Sequence, residues 1–327
     1  MKAWQVTSHG EPADVMSLAE VDTPDPGERQ VTVRVRATAL NFPDVLLARG
    51  QYQIRPPLPF TPGIEVCGEV LAAGSGVKGF APGDRVIGTP ALPHGGLAEV
   101  AVLDATDTFA APEALDDAAA SAMHIAYQTA WFGLHRRANL HAGQTLLVHA
   151  GAGGVGSAAV QLGKAAGARV IAVVGGADKV KVATDLGADV VIDRRESDLS
   201  AALKNATGRH GADVIFDPVG GAAYDASTKC VAFEGRILIV GFASGTIPAP
   251  MLAHALVKNY SIVGLHWGLY RKYDSVAINR VHRELSAMAA DGIVAPLVSD
   301  KLSLGEAPAG LAKLAAGETV GRLVVTP

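Results

Sequence analysis

Residues 144–174 read QTLLVHAGAGGVGSAAVQLGKAAGARVIAVV, and this stretch decides the fold. An apolar strand, Leu146 to Val148, runs into a glycine turn, then an amphipathic helix, then a second strand. Gly151, Gly153 and Gly156 satisfy the pattern G-x-G-x-x-G. The first glycine permits a tight turn, the second lets the backbone approach a pyrophosphate, and the third lets helix and strand pack closely. The helix start, with Gly154 and Val155, turns unpaired N–H groups towards the phosphates. Alone, the glycine pattern is weak; between a strand and a helix it predicts a dinucleotide site. The bland alternative is a glycine-rich turn that binds nothing.

A carboxylate at the tip of the second strand would hold a ribose 2′-hydroxyl and select NAD. Here the strand ends Val173-Val174-Gly175-Gly176, with no acid at its tip. Lys179 follows on the first turn of the next helix, and Arg194 follows a third strand, Val190 to Ile192. With no acid to repel a 2′-phosphate and two cations to hold it, the pattern predicts NADPH, with Gly176 in the turn between strand and helix. Asp178 argues mildly the other way, although an acid there also complements the helix dipole. Solvated surface charge is the alternative reading of Lys179 and Arg194.

Helix and strand go on alternating. Ser197 to Ala206 reads as helix, Asp213 to Asp217 as strand, Ala222 to Phe233 as helix, and Arg236 to Gly241 and Ser261 to Leu265 as strands. This predicts an α/β domain with a doubly wound parallel Rossmann sheet, whose ligands lie beyond the carboxyl ends of its strands. Val219, Phe242, Ala243, His266 and Trp267 stand in loops leaving those ends and are candidates for the nicotinamide half of the pocket. Phe242 and Trp267 are as readily explained by core or lid packing.

Upstream the pattern changes to short β-rich pieces: Gln30 to Ala39, Val66 to Ala73, Asp84 to Gly88 and Ala98 to Val102. They predict a mainly antiparallel domain. A helix over Asn279 to Ala290, a strand over Leu297 to Leu302, a helix over Pro308 to Ala316 and a last strand over Arg322 to Val325 read as its return segment. The expected division is residues 1–123 for the first part of the β domain, 124–268 for the nucleotide domain and 269–327 for the return, with the active site in the cleft.

Composition excludes several classes. Of 327 residues 49% are hydrophobic and 18% charged, enough for sizeable cores, and a net charge of −4 without a basic stripe argues against nucleic acid. No apolar run reaches the length of a membrane span, and Met1 to Trp4 begins a strand-like segment without a signal peptide, so a cytoplasmic protein without a membrane partner is expected. Two cysteines, Cys67 and Cys230, leave nothing for a disulfide framework.

The chain resembles the zinc-free medium-chain dehydrogenases and reductases, in particular the NADPH:quinone oxidoreductases related to zeta-crystallin. The resemblance runs along nearly the whole chain. It is carried by ALNFPD (39–44), RGQY (49–52), PFTPGIE (59–65), PGDRV (82–86), the glycine turn, DPVGG (217–221) and GFASG (241–245). It implies a mainly β GroES-like catalytic domain beside the Rossmann domain and hydride transfer from NADPH to a quinone. Zinc-dependent relatives carry Cys, His, and Cys or Asp about where this chain has Asn41, Ile64 and Ile125. Catalytic zinc needs about three N, S or O ligands, so no metal is expected.

The resemblance also implies roles. Asn41 would lie near the nicotinamide ribose and Thr129 beside the nicotinamide; Gly153, Gly154 and Val155 would follow the pyrophosphate. Lys179 and Arg194 would grip the 2′-phosphate, although Tyr is commoner in relatives at the Arg194 position, and Arg322 would reach the cofactor phosphates. His124 and Gln128 stand where relatives have small or apolar residues. A homodimer pairing the edge strand Ser261 to Leu265 is implied as well.

Tyr52 lies eleven positions after Asn41, the spacing at which enoyl-thioester reductases of the same superfamily carry a proton-donating tyrosine. A phenol held within hydrogen-bond reach could protonate the enolate left by hydride addition. With a quinone it would only orient the acceptor, and packing against the loop Gln53 to Pro59 is the structural alternative. Three functions follow: an NADPH-dependent quinone reductase, a reductase of enone or 2-enoyl-CoA double bonds with Tyr52 as donor, and a non-enzymatic NADPH-binding structural or RNA-binding protein.

Overall fold

The computed structural model describes residues 1–196 and 198–327. Ser197, where the sequence suggests a helix start, lies outside the described residues. The helix that follows is Leu199–Thr207, capped by the Asp198 carboxylate, which accepts the Ala201 N–H at 2.9 Å.

The chain forms two compact units. One comprises Met1–Ile125, His282–Ala290 and Ala295–Pro327; the other comprises Ala126–Val281 and Asp291–Val294. The chain thus rejoins the first unit at His282, within the helix Ser275–Ala290, and not at residue 269. Gln128 explains the delay: its Nε2 donates to Ile278 O at 3.1 Å and its Oε1 lies 3.4 Å from Trp267 Nε1, so the segment after Trp267 stays with the second unit.

In the first unit the sheet runs Val298–Ser303, Arg322–Thr326, Gln30–Ala39, Val66–Ala73, Arg85–Pro90, Val100–Ala110, and Gln30–Ala39 pairs again with Val100–Ala110. All its pairings are antiparallel except that of Val298–Ser303 with Arg322–Thr326. The alternation in Gln30–Ala39 sets its faces: Val31, Val33 and Val35 enter a core with Val66, Val70, Val86 and Leu103, while Arg34 and Arg36 stay exposed. Asn41 ends the run in extended conformation (φ −119°, ψ 149°) and starts the helix Phe42–Ala48, with Pro43 in its first turn.

The second unit is a six-stranded parallel sheet. Its order is Ser261–Gly264, Val231–Ile239, Ala212–Asp217, Thr145–His149, Arg169–Val174, Val190–Asp193. Numbered along the chain, this is 6-5-4-1-2-3. The order reverses between Thr145–His149 and Ala212–Asp217, so the crevice beyond their carboxyl ends is the switch point at which such sheets take ligands. One expected helix is too long: the helix over Ala222 stops at Cys230, and the strand begins at Val231, five residues ahead of Arg236. Burial decides it, because Val231 pairs with Ala212 and both lie in the core of the sheet. The irregularity that follows, with Glu234 at φ +56°, restores the register at Arg236. No helix among the described residues is long and apolar enough to cross a membrane.

Candidate active site

Strand Thr145–His149 feeds the glycine turn through Ala150, which adopts φ +52°. A Cβ at Gly156 would fall 2.0 Å from Ala150 O, and one at Gly151 would meet the Ala172 methyl at 2.8 Å, so both glycines are required by close approach. The helix Gly154–Ala165 makes its first internal bond from Ser157 N–H to Gly153 O at 2.8 Å, and no side chain caps its start. The amides of Gly154, Val155 and Gly156 therefore have no intrahelical acceptor, and the dipole adds positive potential there. This cradle fits a pyrophosphate.

The next strand ends at Gly175 and Gly176, and the helix Ala177–Asp185 puts Lys179 on its first turn. The Arg194 guanidinium lies over Gly175, 3.0 Å from where a Cβ would stand, and Arg195 lies over Gly176 at 3.1 Å. The Asp193 carboxylate accepts the N–H groups of Gly176 (3.0 Å) and Arg195 (2.9 Å), and these backbone donors hold its pKa below the usual range. The turn thus carries two guanidinium groups, and Asp193 is engaged by backbone, while Asp178 stands on the first turn of the helix. Arg195 was not foreseen from the sequence.

Two loops lie together beyond the other half of the sheet. Ala243 N–H donates to Pro218 O and Ser244 N–H to Val219 O, both at 3.0 Å, and the Phe242 ring covers Gly220. Val219, Phe242 and Ala243 therefore converge. Asp217 shapes the first loop by accepting the N–H groups of Val219 (2.8 Å) and Gly220 (2.9 Å) on one oxygen. His266 is exposed, whereas Trp267 is buried against Gln128. Gln128 is a bridge within the second unit, and Thr129 beside it is buried.

His149 is a second residue the sequence did not single out. It is buried at the switch point with Nε2 2.8 Å from Ser227 Oγ. Ser227 spends its hydroxyl hydrogen on Ala223 O, so His149 must donate and carry its proton on Nε2. Burial holds its pKa below 6.5, with Asp217 pulling up and Arg194 pushing down. Burial also raises the Cys67 and Cys230 thiols to about 12 and about 11, which keeps both unreactive.

In the first unit four polar side chains meet in the interior. Glu65 Oε2 accepts from Asn41 Nδ2 at 2.9 Å and from Arg322 Nη2 at 2.5 Å, while Oε1 accepts the Ile125 N–H at 2.7 Å. Asp44 accepts from the backbone of Asn41, Gly63 and Ile64. Burial pushes Asp44 up to about 6 against these donors and Arg322, and it raises Glu65 as well. Arg322, which the resemblance implied would reach the cofactor phosphates, is buried and pairs with the Glu65 carboxylate. Asn41 donates through its nitrogen, and Ile64 and Ile125 offer this cluster only backbone N–H groups, so these positions present no zinc donor set. Tyr52 is half-buried and packs on the core formed by Leu40, Val45 and Phe60. His124 is buried with its ring 4.7 Å from Phe109, a packing role.

Residues 154–283 match the zinc-binding dehydrogenase family and residues 27–113 the alcohol dehydrogenase GroES-like domain. A quinone oxidoreductase-like protein 2 homolog of Nematostella vectensis is 38% identical over 301 residues, 91% of this chain and 82% of the relative. The chain belongs to the quinone oxidoreductase-like medium-chain dehydrogenases and reductases. Among solved structures, the Escherichia coli quinone oxidoreductase complexed with NADPH is 30% identical to this quinone oxidoreductase-like chain, covers 100% of both chains and has a TM-score of 0.92. A mycocerosic acid synthase-like polyketide synthase of Mycobacterium tuberculosis is 31% identical over 96% of the chain, which spans only 15% of that relative.

Proposed function

We propose that this NADPH-dependent oxidoreductase is a metal-free quinone reductase. NADPH would supply a hydride from its nicotinamide C4. The observation that carries the reading is the donor set around Glu65: Asn41, Ile64 and Ile125 leave no ligands for a zinc ion that could polarise an alcohol. Such a site suits an acceptor that is already electron-poor. The free amides of Gly154, Val155 and Gly156, beside Gly151 and Gly153, hold the pyrophosphate, and Lys179 with Arg194 holds the 2′-phosphate beside Gly176. In the second unit we assign Thr129, Val219, Phe242, Ala243, His266 and Trp267 to the nicotinamide half, and in the first unit the resemblance assigns Asn41. Tyr52 orients the acceptor.

The test is turnover of NADPH with a small quinone, an enal and crotonyl-CoA side by side, together with elemental analysis. The quinone should be fastest, with zinc well below one per chain; one zinc per chain would overturn the reading. A second reading, reduction of an enoyl double bond with Tyr52 as proton donor, draws on the likeness to the polyketide synthase segment. In that case Tyr52→Phe should depress crotonyl-CoA turnover far more than quinone turnover. Equal losses would count against a proton donor. We also propose a homodimer, because strand Ser261–Gly264 is an open sheet edge and the preceding helix exposes Leu252, Leu256 and Val257. Sedimentation at one chain mass would refute it.

A further inference from the structure

Within the second unit, the strands Val231–Ile239 and Ser261–Gly264 end level with each other: Ile239 pairs with Gly264, and the Leu265 N–H still donates to Ile239 O at 2.9 Å. What leaves them next is the loop of Phe242 and Ala243 on one side and His266 with Trp267 on the other. Trp267 is buried against Gln128, and the N–H groups of Leu269 and Tyr270 donate to His266 O at 3.2 Å and Trp267 O at 2.9 Å. The backbone under His266 is thus held. Its ring is exposed and makes no hydrogen bond among the described residues. Gly268 leaves the ring uncovered, since a Cβ there would lie 3.6 Å from Nε2. Partial burial lowers its pKa from 6.5. The charged groups on the elements beside it are cations: Arg137, whose Nε donates to Gly264 O at 3.1 Å, and Arg271 and Lys272, which share the helix Gly268–Tyr273 with Tyr270 and Tyr273. Asp274, at the end of that helix, is paired with Arg136, and His135 packs on Trp131. The loop of Phe242 and Ala243 carries no titratable side chain.

We propose that His266 is a catalytic residue of the second unit, whose imidazolium gives the proton that the acceptor needs once the hydride has reached it. This rests on the reading that the nicotinamide half of NADPH lies at this edge of the sheet. The hydride oxidises NADPH to NADP⁺ and reduces a quinone by two electrons to the quinol anion. An N–H bond of the imidazolium breaks as the O–H bond of the quinol forms, and water returns a proton to the exposed ring. One quinone, one NADPH and one proton give quinol and NADP⁺. Charge balances as well, because the imidazolium is neutralised in the same turnover that makes the nicotinamide cationic. The site therefore does not hold two positive charges at the end of the reaction.

The test first reads that charge change without turnover. Calorimetric titration of the full chain between pH 5.5 and 8 gives the Kd of NADP⁺ divided by that of NADPH. The ratio should rise by about fivefold or more at the acid end, because an imidazolium repels only the oxidised ring. The 2′-phosphate, which titrates at about pH 6, is common to both cofactors and cancels. His266→Gln should keep its melting temperature, flatten the ratio, and lower kcat for a small quinone by about tenfold or more with little change in KM. If His266→Gln melts early, His266→Asn is held to the same outcomes. In the unaltered chain kcat should fall as the pH rises across the range in which the ratio changes. A ratio that is flat in the unaltered chain would overturn the assignment while leaving NADPH binding intact. A ratio that keeps its slope in His266→Gln would also overturn it and move the titrating group to His149, buried at the end of Thr145–His149. A sloping ratio with kcat unchanged in His266→Gln would overturn the proton transfer. Failure of the unaltered chain to bind NADPH would remove the reading on which the inference rests.

Discussion

At the scale of single residues, buried carboxylates carry the sharpest consequence. Asp44 is fully buried, and its pKa rises from 3.8 to about 6 because desolvation outweighs its N–H donors. Between these values the folded chain keeps a proton that the unfolded chain has released. The stabilisation is thus complete below about pH 3.8 and lost as the pH rises through about 6. The difference of about 2.2 units corresponds to roughly 3 kcal/mol at 1.36 kcal/mol per unit. In Asp44→Asn that titration is gone. Denaturant unfolding between pH 4 and 7 should show the stability difference, wild type minus variant, shrinking by about that amount; a difference that stays flat with pH would refute the raised pKa. The variant should also be less stable at every pH, because an amide nitrogen must face one of the donors now held by Asn41, Gly63 or Ile64.

At the scale of elements, the turn from Thr145–His149 into Gly154–Ala165 is graded by how closely backbone approaches each glycine. A methyl at Gly156 would stand 2.0 Å from Ala150 O, whereas one at Gly153 would stand 3.2 Å from the same atom. Gly156→Ala should therefore destabilise the second unit by a few kcal/mol and abolish NADPH binding, while Gly153→Ala should keep the fold and weaken NADPH only. Circular dichroism melts beside cofactor titration check this, and equal melting temperatures would contradict it. Such turns were legible because glycine spacing and flanking apolar runs are local signals, as is the alternation that bounds Gln30–Ala39 and Val66–Ala73. The strand start at Val231 was not legible, since amphipathic spacing runs on to Phe233 and only pairing with Ala212 ends the helix. Partners remote in sequence were equally hidden: Glu65 and Arg322 lie 257 positions apart, Gln128 and Trp267 139, His149 and Ser227 78. Nothing in the spacing of residues shows that an arginine before a last strand will meet a glutamate near the start of the chain.

At the scale of the whole molecule, a chain of net charge −4 repels a polyanionic cofactor at long range, so binding depends on local positive groups. Two kinds are present in the second unit. The amides at the start of Gly154–Ala165 would serve any pyrophosphate and so would not distinguish NADPH from NADH. In the proposed function the cations of Lys179, Arg194 and Arg195 around Gly175 and Gly176 would act only on the extra phosphate. Lys179→Gln/Arg194→Gln should accordingly raise the Kd for NADPH by about tenfold or more and change that for NADH by less than about twofold. Because these charges are accessible to solvent, raising the salt from 0.05 to 0.5 M should weaken NADPH more than NADH in the unaltered chain and erase that difference in the variant. Calorimetric titration of both cofactors at both salts measures all four quantities. Equal losses for NADH and NADPH would move the 2′-phosphate away from this turn, and undiminished NADPH selectivity would shift the discrimination to Arg195, whose guanidinium covers Gly176.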